Sequence, residues 1–201
     1  MNYFISGTDT GIGKTVFSTL LSLKLGYRYW KPIQSGTIDK TDSEWVAERL
    51  GKNFILNEVY KLQEPLSPHA AAKNESIEIK HELIIAQAPT DHTIIEGCGG
   101  LLVPLNSSTL IIDLIKQLHA SLILVARSGL GTINHTLLSI EALHNRNIPL
   151  LGVVMVGQPN KSNLEAIKHF GNTPVLAEVP LINDFSRKNL IEISTTLPIQ
   201  L

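Results

Sequence analysis

Short, unbroken apolar runs alternate along the chain with stretches of helical period. Tyr3-Phe4-Ile5, Thr93-Ile94-Ile95, Ser121 to Ala126, Leu150 to Val156 and Val175 to Val179 lack the polar alternation of a half-exposed strand, so each reads as a strand buried on both faces. Tyr27 to Trp30 is another, stopped by Lys31-Pro32 because proline removes a ladder donor. Between these runs, Val16, Phe17, Leu20, Leu21 and Leu25 fall at helical spacing from Lys14 to Leu25, and Gly26 is placed to end that helix. Further helices are predicted over 42–50, 80–88, 109–119, 132–145, 162–170 and 187–193. The stretch 57–74 has no sustained period and is predicted as loop with one short strand. The alternation predicts an α/β fold: a parallel sheet with helices on both faces, whose ligands sit beyond the carboxyl ends of the strands.

A length of 201 residues with 43% hydrophobic content suits one domain over 1–201. Seventeen Lys and Arg against 18 Asp and Glu give a net charge of −1, which supplies no basic field for nucleic acid or a membrane surface. That favours a small-molecule ligand, and the single cysteine, Cys98, with an N-terminus that lacks a basic, then apolar, leader predicts a cytoplasmic protein. Apolar runs are far shorter than a membrane span needs.

Gly7-Thr8-Asp9-Thr10-Gly11-Ile12-Gly13-Lys14-Thr15 lies between the first strand and the first helix, the setting of a phosphate-binding loop. Glycines let peptide N–H groups turn inward around an anion, and the helix N-terminus adds positive charge. Lys14 would reach the β and γ phosphates, and the Thr15 hydroxyl would complete a magnesium shell. The usual first glycine falls at Thr8, with Gly7 one place early, so this is a variant P-loop. Glu96 follows Thr93-Ile94-Ile95 and precedes Gly97-Cys98-Gly99-Gly100, which puts a carboxylate at a strand end; it suits magnesium or simply solvates that end. Lys31 could be a second cation for phosphoryl transfer or a surface lysine, and Asp42 a helix cap or a metal carboxylate. The seven histidines have no i, i+4 pair, which argues against zinc. Cys98 has no neighbouring base and reads as structural.

Taken together, the chain resembles the dethiobiotin synthetase family. The resemblance rests on the phosphate loop and on Lys31-Pro32-Ile33-Gln34-Ser35-Gly36, Asp42, Pro65-Leu66-Ser67-Pro68-His69, Glu96 to Leu105 and Gly129 to His135, which together span about two thirds of the chain. It implies a P-loop NTPase-like fold and closure of a ureido ring from 7,8-diaminononanoate and CO2 at the expense of ATP. A carbamate would be phosphorylated to a carbamic-phosphoric anhydride, with Mg2+ held by Thr15, Asp42 and Glu96. By this resemblance Lys14, Lys31 and Thr10 are catalytic, and Thr10, Lys31 and Ser35 hold the carbamate. Gly11, Ile12, Gly13, Lys14, Thr15, Val16, Asp42, Glu96, Gly97, Cys98 and Gly99 surround the nucleotide, with Gly157, Pro180 and Leu181 at its base. Thr132, Ile133 and Asn134 would receive the substrate's distant carboxylate from a neighbouring subunit, which implies a homodimer. Gly157-Gln158 stand where the family usually offers an asparagine to adenine, so relaxed choice among nucleoside triphosphates is expected. A rival reading, a partition-type regulatory ATPase acting on a protein partner, expects a signature lysine at the position of Asp9.

Overall fold

A computed structural model describes residues 1–199; the last two residues of the expected 1–201 domain lie outside the described residues. Its strands are β1 (Asn2–Gly7), β2 (Arg28–Trp30), β3 (Ile33–Ser35), β4 (Ile55–Leu56), β5 (Tyr60–Leu62), β6 (Thr93–Gly100), β7 (Ser121–Arg127), β8 (Leu150–Val156) and β9 (Val175–Val179). Its α-helices are α1 (Lys14–Leu25), α2 (Asp42–Leu50), α3 (Pro68–Asn74), α4 (His81–Ala86), α5 (Ile111–Leu118), α6 (Thr132–His144), α7 (Lys161–Gly171) and α8 (Arg187–Thr196). Seven strands form a wholly parallel sheet in the order β4-β2-β6-β1-β7-β8-β9, and β3 and β5 pair separately.

Alternation within the central strands builds two cores at once. Tyr3 and Ile5 of β1 join Ile123 and Val125 of β7 in a core with Phe17, Leu20 and Leu21 of α1 and Leu190 of α8. Phe4, Leu122 and Leu124 face the other way, into a core with Ile112 and Ile115 of α5 and Ile167 of α7. Each such side chain contributes on the order of 1.5–3 kcal/mol when fully buried. A one-residue slip of β1 would exchange its two faces, so both cores hold the strand's register. With β1 central, the turn that leaves its carboxyl end opens in the middle of the sheet edge, where α1 begins.

Three elements depart from the sequence reading. β3 and β4 are three- and two-residue strands in stretches with no predicted strand, and α3 occupies the end of the 57–74 segment. These pieces are too short to show a period, although Ser67-Pro68 does mark a helix start. β6 also runs to Gly100, so Glu96 lies inside the strand and not beyond it. The extension relies on missing side chains: a Cβ at Gly97 would stand 2.8 Å from the Phe4 ring, and one at Gly100 3.3 Å from the Gly7 carbonyl. Among the described residues no helix is long and apolar enough to cross a membrane.

Candidate active site

The turn from β1 into α1 wraps around an open space. Gly11 and Gly13 take positive φ, +64° and +99°, a conformation that L side chains rarely adopt. Lys14, the first residue of α1, is buried and its Nζ donates to the Asp9 carbonyl oxygen at 2.8 Å. Burial lowers the Lys14 pKa, an effect opposed by the Glu96 carboxylate. The Asp9 carboxylate accepts from the Thr10 N–H at 2.7 Å and from the Arg127 guanidinium at 2.7 Å, which ties the loop to the end of β7.

Beside the loop stands a cluster of charges drawn from four elements. In the β2–β6 register Trp30 pairs with Ile95, so the next residue of each chain, Lys31 and Glu96, meet at the sheet edge. The Lys31 ammonium lies 2.7 Å from Asp42 Oδ2 and 3.0 Å from Glu96 Oε1. The Thr15 hydroxyl sits 3.0 Å from Asp42 Oδ1 and 2.9 Å from Glu96 Oε1, with a single proton to share between them. Tyr29 completes the set by donating its hydroxyl to Glu96 Oε2 at 3.1 Å. Burial alone would lower the Lys31 pKa; the two carboxylates outweigh it and raise the pKa above its ordinary value. Burial likewise tends to raise the Asp42 pKa, but Lys31 and the Thr15 hydroxyl lower it overall. A buried lysine is therefore kept charged, and so is the carboxylate facing it.

Asp42 is not the cap of α2. Thr41 takes that position: its hydroxyl accepts from the Glu44 N–H, while the Glu44 carboxylate accepts from the Thr41 N–H. The Thr41-Asp42-Ser43-Glu44 sequence carries this capping-box signature. With capping done by its neighbour, the Asp42 side chain is left for Lys31 and Thr15.

A cleft of about 660 Å³ opens over these groups. Its walls include Thr10, Gly11, Gly13, Lys14, Thr15 and Val16 from the loop and α1, with Lys31, Ser35, Asp42, Glu96, Cys98 and Gly99 around them. The Ser35 Oγ is buried at this wall with no hydrogen-bond partner. Burial pushes the Cys98 thiol up to about 11, away from the thiolate form that a nucleophile needs. Gly97 lies behind the wall against Phe4. Trp45 of α2 and Phe185 also border the cleft, packed edge to face with centroids 5.5 Å apart. Neither carries a local signal in the chain, since both arrive through helix and loop packing.

A second cavity of about 320 Å³ continues on the other side of Gly11 and Gly13, walled by Ile12, Val156, Pro180, Leu181, Phe185 and Arg127. Of Gly157, Pro180 and Leu181, the residues expected around a nucleotide's base, the last two line this cavity, and Val156 lines it in place of Gly157. Gly157 instead donates its N–H to the Val179 carbonyl, and a Cβ on it would stand 2.4 Å from the Ser128 Oγ. Thr132, Ile133 and Asn134 border neither cavity. Thr132 is buried, gives its N–H to the Gly129 carbonyl and has its hydroxyl 3.4 Å from that of Thr136.

The donor set suits magnesium. Thr15, Asp42 and Glu96 offer a hydroxyl and two carboxylates, the few protein oxygens that this ion takes when phosphates and water supply the rest. Among the described residues no group of three or more His, Cys, Asp or Glu gathers as an alternative metal centre.

A family model described as an AAA domain matches residues 1–189. Proteins of Brucella ovis and of Brucella abortus strain S19, each named ATP-dependent dethiobiotin synthetase BioD, are 47% identical over 188 residues, covering 92% of this chain and 89% of theirs. Among solved structures, the fold is similar to a ParA family ATPase from Chlorobium tepidum TLS (TM-score 0.58, 11% identity, 98% of this chain and 90% of that one). It is equally similar to the septum site-determining protein MinD complexed with Mg-ADP from Pyrococcus horikoshii OT3 (TM-score 0.58, 15% identity, 96% and 95%). At such identities these two structures speak for the P-loop fold alone.

Proposed function

This chain belongs to the family of ATP-dependent dethiobiotin synthetases, and we propose that it joins 7,8-diaminononanoate and CO2 into the cyclic urea of dethiobiotin while cleaving ATP to ADP and phosphate. One amine adds to CO2, loses a proton and becomes a carbamate; bicarbonate is the ready source of CO2 in solution. A carbamate oxygen then attacks the γ-phosphorus, and the bond to ADP breaks. The second amine attacks the resulting anhydride carbonyl, phosphate leaves, and a proton is released.

The observation that carries this reading is the meeting of Lys14, Lys31, Thr15, Asp42 and Glu96 at one end of the cleft. A carbamate is already an anion, so its phosphorylation needs no strong base; it needs cations that let two negative groups approach. Lys31 is suited to that task because its neighbours keep it charged despite burial. Ser35, a buried hydroxyl with no partner, and Thr10 are suited to hydrogen-bond the carbamate. Lys14 and the loop amides would cradle the phosphates. Magnesium bound with the nucleotide would be held by Thr15, Asp42 and Glu96 and would neutralise charge developing on the transferred group.

The apolar cavity beside Val156, Pro180 and Leu181 would take the base, and its walls favour relaxed choice among nucleoside triphosphates. The substrate's distant carboxylate would meet the Ile133 and Asn134 amides at the start of α6 of a second subunit. The adjoining Leu130 is fully exposed, as a residue awaiting a homodimer partner would be. A partner-regulating ATPase is disfavoured because Asp9 stands where its signature lysine belongs, held by Arg127. Phosphate release measured with bicarbonate, with and without 7,8-diaminononanoate, tests the proposal. Release should depend on the diamine; equal release without it would overturn the assignment.

A further inference from the structure

We propose that Tyr29 is a positioning residue that locks the Glu96 carboxylate in the orientation required to hold the metal of a metal–nucleotide complex. The proposal rests on the reading of Thr15, Asp42 and Glu96 as the metal-holding set.

Tyr29 is fully buried, and its hydroxyl is found at Glu96 Oε2, 3.1 Å away. Strand geometry brings it there. Tyr29 pairs in register with Ile94, and Ile94 and Glu96, two residues apart, point to the same face of the sheet. A tyrosine ring standing beside Ile94 spans the distance along that face to the Glu96 carboxylate. Val46 and Leu50 of α2 pack on the ring and fix its course.

The two oxygens of Glu96 are thus divided. Oε2 accepts from the phenol, and Oε1 faces the Thr15 hydroxyl and the Lys31 ammonium at the cleft. Lys31 draws Oε1 toward itself, and a carboxylate free to rotate would turn to give it a second oxygen. Tyr29 removes that freedom from behind. The division leaves one Glu96 oxygen, with Thr15 and Asp42, directed at the site. Trp30, the next residue, serves a different end: its indole N–H donates to the Asn57 carbonyl on the opposite side of the strand and does not reach the cluster.

The test is Mn2+ binding in the presence of ADP, read by the electron paramagnetic resonance of free Mn2+, on the full chain and on Tyr29→Phe. ADP binding in EDTA is measured alongside. Tyr29→Phe keeps the ring and deletes only the oxygen. Mn2+ affinity should fall by about tenfold or more, with ADP binding in EDTA within twofold of the parent. Glu96→Gln should weaken Mn2+ binding, and adding Tyr29→Phe to it should cost much less than tenfold further. Unchanged Mn2+ affinity in Tyr29→Phe would overturn the proposal, as would equal loss of ADP binding with and without metal, or a variant that does not fold, since each would make the hydroxyl's role one of packing. If the unaltered protein bound no Mn2+ with ADP, the metal site itself would fall, an outcome separate from the others.

Discussion

The charged cleft and the smaller apolar cavity beside Gly11 and Gly13 are held in opposite ways. At the first, Lys31, Asp42, Glu96, Thr15 and Tyr29 come from four elements and satisfy one another through five contacts between 2.7 and 3.1 Å. At the second, Val156, Pro180, Leu181 and Phe185 offer shape and apolar surface, and Arg127 is turned toward Asp9. Buried charges cannot move independently, because a broken pair leaves an uncompensated ion. Apolar walls adjust with little loss. On the proposed function, the chemistry is thereby fixed in the cleft, while the apolar cavity would leave the identity of the nucleotide loosely specified.

The sharpest way to break this contrast is Lys31→Ala, which should lower turnover by roughly 10²-fold or more in a diamine-dependent phosphate-release assay. Near-normal turnover would remove Lys31 from the reaction. Asp42→Ala and Glu96→Ala should each raise the magnesium needed for half-maximal turnover, by roughly 10–100-fold. An effect confined to thermal stability would instead mark them as structural. With the base in the apolar cavity as proposed, kcat/KM for ATP, GTP and CTP should agree to within roughly 10–100-fold, the reach of an apolar pocket; a preference near 10⁴ would mean that polar groups read the base after all. Thr41→Ala, which removes the α2 cap but no charge from the cluster, should cost about 1 kcal/mol, seen as a Tm lower by about 2–4 °C.

The smallest expected effect is of pH. The Asp42 pKa lies below its ordinary 3.8, so its share of stability is complete above that value and is lost only as pH falls through the lowered one. The Lys31 pKa lies above 10.5, so its share is complete below that value and is lost only at higher pH. The stability difference between the parent and Asp42→Asn in urea unfolding should therefore be flat from about pH 5 to about pH 9. A slope in that window would mean that the pair is not held as described.

Most of the fold was legible because hydrophobic period reports burial directly. The helix from Lys14 to Leu25 and the strands from Leu150 to Val156 and Val175 to Val179 were bounded to the residue. β3, β4 and α3 escaped because two to seven residues cannot display a period, and β6 ran on past Glu96 because glycines permit a close approach that propensity does not foresee. Asp42 was ambiguous until Thr41 and Glu44 were seen to cap the helix, a pattern that the four residues from Thr41 to Glu44 did contain. Tyr29, Trp45, Phe185 and Val156 had no local signal at all. They reach the site through strand register and helix packing.

The sequence by itself determined the alternating strands and helices, the glycine-rich turn ahead of Lys14, and a stock of lysines and carboxylates able to serve phosphoryl transfer. These are local properties, set by side-chain period and by backbone conformations that only glycine reaches freely. Tertiary structure alone decided that Lys31 and Glu96, 65 positions apart, would share a proton donor and acceptor pair, and that Tyr29 would stand behind it. Register between β2 and β6 is held by packing on both faces of β2, Trp30 in one core and Tyr29 against Val46 and Leu50 of α2, residues that lie far apart along the chain.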